Sequence, residues 1–138
     1  MKKIVINKCY GGFGLSEAAV LLYAEIKGIT LYVEGKGSLR TYFLVPKEER
    51  VKELPKPWIE NSVEDRCAYN IEYTKQVFYD CYIKRDDPVL IQVVEHLRDK
   101  ANAYAAKLKI VEIPDDIEYT IEEYDGVEHI AEKHRTWN

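Results

Sequence analysis

The residues best suited to chemistry open the chain, where Ile4-Val5-Ile6 runs into Asn7-Lys8-Cys9-Tyr10-Gly11-Gly12-Phe13-Gly14-Leu15-Ser16. A β-branched strand that breaks on glycines just before a helix start is the arrangement in which backbone N–H groups and the positive helix end converge on an anion. The run lacks the G-x-G-x-x-G spacing of a dinucleotide fingerprint and the Gly-Lys-Ser/Thr ending of a P-loop. Tyr10 and Phe13 flank the glycines, and aromatic faces beside an anion cradle suit a ligand that combines a base with phosphates. The competing reading is geometric: the glycines make a sharp turn, Phe13 is core and Tyr10 packs at the rim. On the first reading Asn7, Lys8, Tyr10, Gly11, Gly12, Phe13, Gly14 and Ser16 are ligand residues.

Further cations lie elsewhere in the sequence. Arg85 precedes Asp86-Asp87-Pro88; its guanidinium either clamps a phosphate bidentately or pairs with Asp86 or Asp87 and ties down the loop. Lys107 and Lys109 alternate with Leu108 and Ile110, so both face the same way, toward solvent or toward a phosphate. Arg135 belongs to the basic and aromatic ending Lys133-His134-Arg135-Thr136-Trp137. A terminal tail is commonly frayed, but Trp137 favours docking against the same subunit, a symmetric partner or a ligand.

Signals for catalysis are poor. His96, His129 and His134 show no H-x-x-H or H-E-x-x-H spacing, and G-x-S-x-G is absent from the sequence. Cys9 sits before a helix start that can lower a thiol pKa, but it reads equally as a small residue ending a strand. Neither a metal nor a cofactor is expected.

The elements that must position these residues follow from local signals. Residues 3 to 8 form a strand. Ser16 caps a helix carrying Ala19, Val20, Leu22, Tyr23 and Ile26, and Gly28 stops it. Ile29 to Val33 and Leu39 to Val45 make a hairpin across a polar turn. The segment 46–70, with three prolines and Trp58, reads as an insertion or flap with a short helix over Lys47 to Leu54. Tyr69 to Ile83 is rich in Tyr, Val and Phe and predicts one or two strands. Asp87 caps a helix whose first residue is Pro88 and whose apolar stripe is Leu90, Val93, Val94, Leu97 and Ala101. Leu108 to Ile113 and Ile117 to Glu122 are strands, and Asp125-Gly126 turns the chain into a last strand, Val127 to Lys133. The expected fold is a single α+β domain: a largely antiparallel sheet with two main helices on one face.

Composition sets the frame. The chain has 138 residues, 46% hydrophobic and 32% charged, enough for a core of its own. A formal charge of −4 gives no global attraction to duplex nucleic acid. From Glu112 to Glu132 every formal charge is acidic. Three cysteines without C-x-x-C spacing point to a reducing cytosol. The opening Met-Lys-Lys-Ile-Val-Ile is too short an apolar run for an export signal or membrane span. Trp58, Trp137 and the strand edges offer surface that a symmetric partner covers, so a homo-oligomer is expected.

The run Ile6 to Ser16, together with Arg85-Asp86-Asp87-Pro88, the block Lys107 to Ile117 and the ending from Tyr124-Asp125-Gly126 to Trp137, resembles a family of small proteins of phages and prophages. It is similar to the Thoeris anti-defence sponge family, whose members hold the cyclic ADP-ribose signals of bacterial TIR proteins without cleaving them. Some members also bind the cyclic oligonucleotides of the CBASS system. The resemblance covers both ends of the chain and leaves residues 46 to 75 unmatched. It implies a cytoplasmic protein of the host bacterium that binds a small cyclic nucleotide, without carrying any ligand contact over residue by residue. Two rival readings remain: a nucleotide-modifying enzyme using Cys9 or a histidine, and an interaction module whose acidic hairpin takes a basic partner.

Overall fold

A computed structural model describes residues 1–36 and 39–133. In chain order the elements are β1 (Lys2–Asn7), α1 (Glu17–Lys27), β2 (Tyr32–Glu34), β3 (Thr41–Phe43), α2 (Val63–Gln76), β4 (Val77–Phe78), α3 (Pro88–Leu97), β5 (Leu108–Ile113), β6 (Tyr119–Tyr124) and β7 (Val127–Glu132). Short 3-10 turns lie between several of them. The class is α+β with antiparallel strand pairing, as the sequence predicts. The strands fall into three ladders, β1-β5, β2-β3-β4 and β6-β7.

The chain divides into two compact units, one made of Met1–Gly28 with the chain from Asp80 on, the other of Ile29–Tyr79. The first is built on β1. Ile4, Val5, Ile6 and Asn7 are all buried, a continuous run that covers both faces of the strand. α1 and α3 pack on each other, and α3 lies on β1 and β5. Ala19, Val20, Tyr23 and Ala24 from α1 meet Leu90, Val93 and Val94 from α3 in this core.

Both helices start where their caps place them. Ser16 Oγ accepts the Ala19 N–H at 3.2 Å, and Gly28 closes α1 in the left-handed conformation with φ 74°. Asp87 accepts the Val89 N–H at 2.8 Å while Pro88 takes the first helical position. α3 ends at Leu97, earlier than its stripe suggests, because Arg98 turns to φ 52° and Ala101 is buried from a following 3-10 turn.

Asp87 also binds α1 to α3. Its other oxygen accepts the Tyr23 phenol at 2.8 Å and lies 3.3 Å from Lys27 Nζ. Burial, reinforced by the bond to Asp87, pushes the Tyr23 phenol up to about 12. Burial works against the ionised Asp87, but the donors from Tyr23, Val89 and Lys27 together hold its carboxyl below the usual range. A phenol whose pKa is higher folded than unfolded contributes stability that is intact below its ordinary value of 10 and is lost as pH rises toward 12. The melting temperature of the wild type is therefore expected to fall more steeply over that alkaline window than that of Tyr23→Phe. Parallel slopes for the two proteins would remove this linkage.

The second unit departs most from the sequence reading. Tyr69 to Gln76, predicted as strand, is the C-terminal half of α2, and only Val77–Phe78 pairs as β4, against Tyr42 and Phe43. Ser62 starts the helix by accepting the Asp65 N–H at 3.1 Å, and acidic Glu64 and Asp65 sit at its positive end. One stripe of α2, Arg66, Tyr69, Tyr73 and Gln76, is half-buried. Gln76 receives the Val51 N–H and donates to the Glu49 carbonyl, while Tyr73 meets Phe43 edge-on at 6.0 Å. The helix expected over Lys47 to Leu54 shrinks to a 3-10 turn at Lys47–Glu49. The hairpin of β2 and β3 is present, with Glu34 opposite Thr41.

Candidate functional site

The glycine run is fixed by a second strand of chain lying along it. The β1-β5 register ends at Asn7 opposite Leu108, and the Lys8 N–H then donates to the Lys107 carbonyl at 2.7 Å. Beyond that point the pairing continues irregularly: Ala103 N–H donates to Gly14, Leu15 bridges Asn102, and Ser16 N–H donates to Ala101. A Cβ on Gly11 would collide with the side chain and carbonyl of Ala105, and one on Gly14 would come within 3.0 Å of the Ala103 Cβ. Closeness therefore explains both glycines, and the neighbour is the chain's own backbone. Gly12 differs, since its φ of 86° needs glycine while nothing lies within 4 Å of the Cβ position.

The β6-β7 hairpin supplies the third side. Asp125 and Gly126, with φ 51° and 86°, form the two-residue turn that the sequence marks. A Cβ on Gly126 would strike the Tyr10 carbonyl and come within 2.8 Å of Gly12 N. Asn7 ties these loops together. Its buried side chain donates to the Cys9 carbonyl at 2.6 Å and to the Gly126 carbonyl at 2.7 Å, and it accepts the Cys9 and Lys107 N–H groups. Asn7 is thus occupied as the knot of three loops, which is a correction to its reading as a ligand residue.

Arg85 requires the same correction. Its guanidinium forms a two-toothed pair with Glu128 at 2.6 and 2.9 Å and lies 3.6 Å over the Phe13 ring. Neither Asp86 nor Asp87 is its carboxylate. Asp87 caps α3, and Asp86 accepts from Tyr119, whose phenol is raised by burial first and then by that carboxylate. Glu128 also accepts the Asn7 N–H at 2.8 Å, while Arg85 approaches the Val5 carbonyl at 3.4 Å and its own carbonyl takes the Val5 N–H. The pair therefore fills the edge of β1 that faces away from β5. Phe13 serves as the platform beneath it.

The anion position at the start of α1 is also filled from within. Asp80 accepts the Leu15 N–H at 2.8 Å, and Ser16 spends its hydroxyl on Ala19 and the Lys100 carbonyl. Cys9 is half-buried with both backbone groups bonded to Asn7. His129 is exposed and pairs with Glu122 at 2.9 Å.

The remaining surface has a different character. Tyr10, Tyr104 and Tyr124 are exposed by 73%, 108% and 81%, and they ride on the three loops that meet at Gly11, Ala105 and Gly126. Lys8, Lys107 and Lys109 are exposed beside them on the continued β1-β5 ladder. Extending the register by one step sets Lys8 opposite Lys107, and alternation puts Lys109 on the same face. Like charges opposed across a ladder are unfavourable, and an anion between them reverses the sign. Tyr104 and Tyr124 escaped sequence reading because neither lies near the glycines in sequence. Arg135 lies outside the described residues. In the second unit Leu54, Pro57, Trp58 and Tyr69 wall an open pocket of about 300 Å³, rimmed by Glu53 and Lys56.

Comparison with protein-family models, with curated proteins and with solved structures returns no match. Among the described residues no group of His, Cys, Asp and Glu is arranged to hold a metal ion, and no helix is long and apolar enough to cross a membrane.

Proposed function

We propose that the chain binds a small cyclic nucleotide at the face of Tyr10, Tyr104 and Tyr124 and holds it without cleaving it, as a phage anti-defence sponge for a cyclic ADP-ribose type of immune signal. The observation that carries this reading is that the loops bearing exposed Tyr10, Tyr104 and Tyr124 are locked backbone to backbone, beside exposed Lys8, Lys107 and Lys109, which have no carboxylate partner among the described residues. Tyrosines stack on bases and riboses with few rotors to immobilise, and the lysines meet the pyrophosphate. Rigid loops keep that ordering cost low. The resemblance of the glycine run and the C-terminal blocks to the sponge family supports the choice of ligand and of the host cytoplasm, and exposed Trp58 with the strand edges supports a homo-oligomer. Cyclic oligonucleotides fit the same chemistry.

The test is calorimetric titration with cyclic ADP-ribose isomers, followed by heating and chromatography of the released small molecule. Saturable binding with unaltered ligand is expected. An altered ligand identifies an enzyme, and no heat with any isomer rejects the reading. Tyr104→Ala should weaken binding by about 1–3 kcal/mol, the cost of one lost stacking surface. Its melting temperature should not move, because the side chain is fully exposed. Unchanged affinity in that variant takes Tyr104 out of the face.

A further inference from the structure

The second unit carries a feature that the ligand reading does not use. The inward stripe of α2 is spent on its own unit, through Tyr73 and Gln76, but the helix has no buried residue. On its other side Val63, Cys67 and Ile71 stand at i, i+4 and i+8, with Val63 65% and Ile71 55% exposed and Cys67 exposed as well. Residues at this spacing form one continuous ridge.

We infer that this ridge is a self-association surface on which a second copy of the chain lays its own α2 antiparallel. Two properties select that occupant. The ridge is symmetric about its centre, with a branched apolar residue four positions on either side of Cys67, as a two-fold contact requires of a single patch used twice. The charges select the orientation as well. Glu60, Glu64 and Asp65 outweigh Arg66 at the start of α2, while its end carries Lys75 paired with Glu72 at 3.3 Å and no net charge. An antiparallel copy sets each acidic start beside the other's neutral Glu72–Lys75 pair and opposes the two helix dipoles favourably, whereas a parallel copy sets acid on acid. With the axis at Cys67, Val63 of each chain meets Ile71 of the other. One helix pair is a small interface, so the dimer belongs to the weak class. This takes up the homo-oligomer of the proposed function and gives it a surface, without depending on the nucleotide.

The experiment uses the full chain without nucleotide, by sedimentation and light scattering at tens of micromolar. A dimer is expected. Ile71→Glu should raise its dissociation constant by more than tenfold while leaving the circular dichroism melt in place, and Val63→Glu is the second variant should the first misfold. Lys75→Glu should weaken association, and adding Glu64→Lys should restore it. A short bismaleimide should join two chains through Cys67 and fail with Cys67→Ser. A monomeric wild type, or a dimer indifferent to both apolar substitutions, overturns the assignment. Because nucleotide is absent, either result leaves the titration of the tyrosine face to be judged separately.

Discussion

Glu128→Ala lowers the unfolding free energy by about 3–5 kcal/mol, the cost of removing one partner from a buried ion pair. The carboxylate is 6% exposed and its Arg85 partner 17%, so little solvent replaces what is lost. The substitution leaves a guanidinium over Phe13 without its counter-charge and the buried Asn7 N–H without its acceptor. Both losses act on β1, the strand on which the first unit's core is assembled. Arg85→Ala should cost a similar amount for the mirror reason, as it strands a buried carboxylate. In a double-mutant cycle the two losses should fall well short of adding, since each removes the same interaction. Urea unfolding of the three variants measures this. Additive losses would mean that the residues stabilise the fold separately.

Gly126→Ala is the second large effect, because it combines two costs at one position. A side chain at φ 86° is strained by about 1–2 kcal/mol. The added Cβ also meets the Tyr10 carbonyl and Gly12 N, which are backbone and cannot swing aside. Overpacking of this kind costs about 1–3 kcal/mol more. Gly12→Ala is the control. It carries the same strained φ but meets nothing within 4 Å, so it should lose only the first of the two terms. Thermal or urea unfolding should rank wild type, Gly12→Ala and Gly126→Ala in that order. Equal losses in the two variants would show that the contact between the hairpin and the glycine turn contributes nothing.

What the sequence discloses is local. Ser16, Gly28, Asp87-Pro88 and Asp125-Gly126 act within a turn of their own positions, and each cap or turn stands where it reads. Over α2 the sequence reads as strand because Tyr69, Ile71 and Tyr73 carry high strand propensity, a preference that packing overrides. The Ser62 cap and the acidic first turn were the signals that favoured helix there. The site shows the same division. The glycine run reads correctly as a place of close approach, yet what approaches it is Ala105 and Gly126, about a hundred residues along the chain. Arg85 reads correctly as a charge that needs a partner, but neighbouring aspartates were more visible than Glu128, which shares the inward face of its strand with Ile130. Pairings at that separation are decided by topology, which composition and spacing do not encode.

Native mass spectrometry of protein purified from cells that are producing the TIR-derived signal shows whether the tyrosine face holds a cyclic nucleotide. The wild type should carry a bound species of cyclic ADP-ribose mass, released intact on activation. A Tyr10→Ala/Tyr104→Ala protein, folded to the same melting temperature, should emerge without it. A wild type that carries no nucleotide, or a double variant that retains it at full occupancy, would rule out nucleotide binding at the tyrosine face.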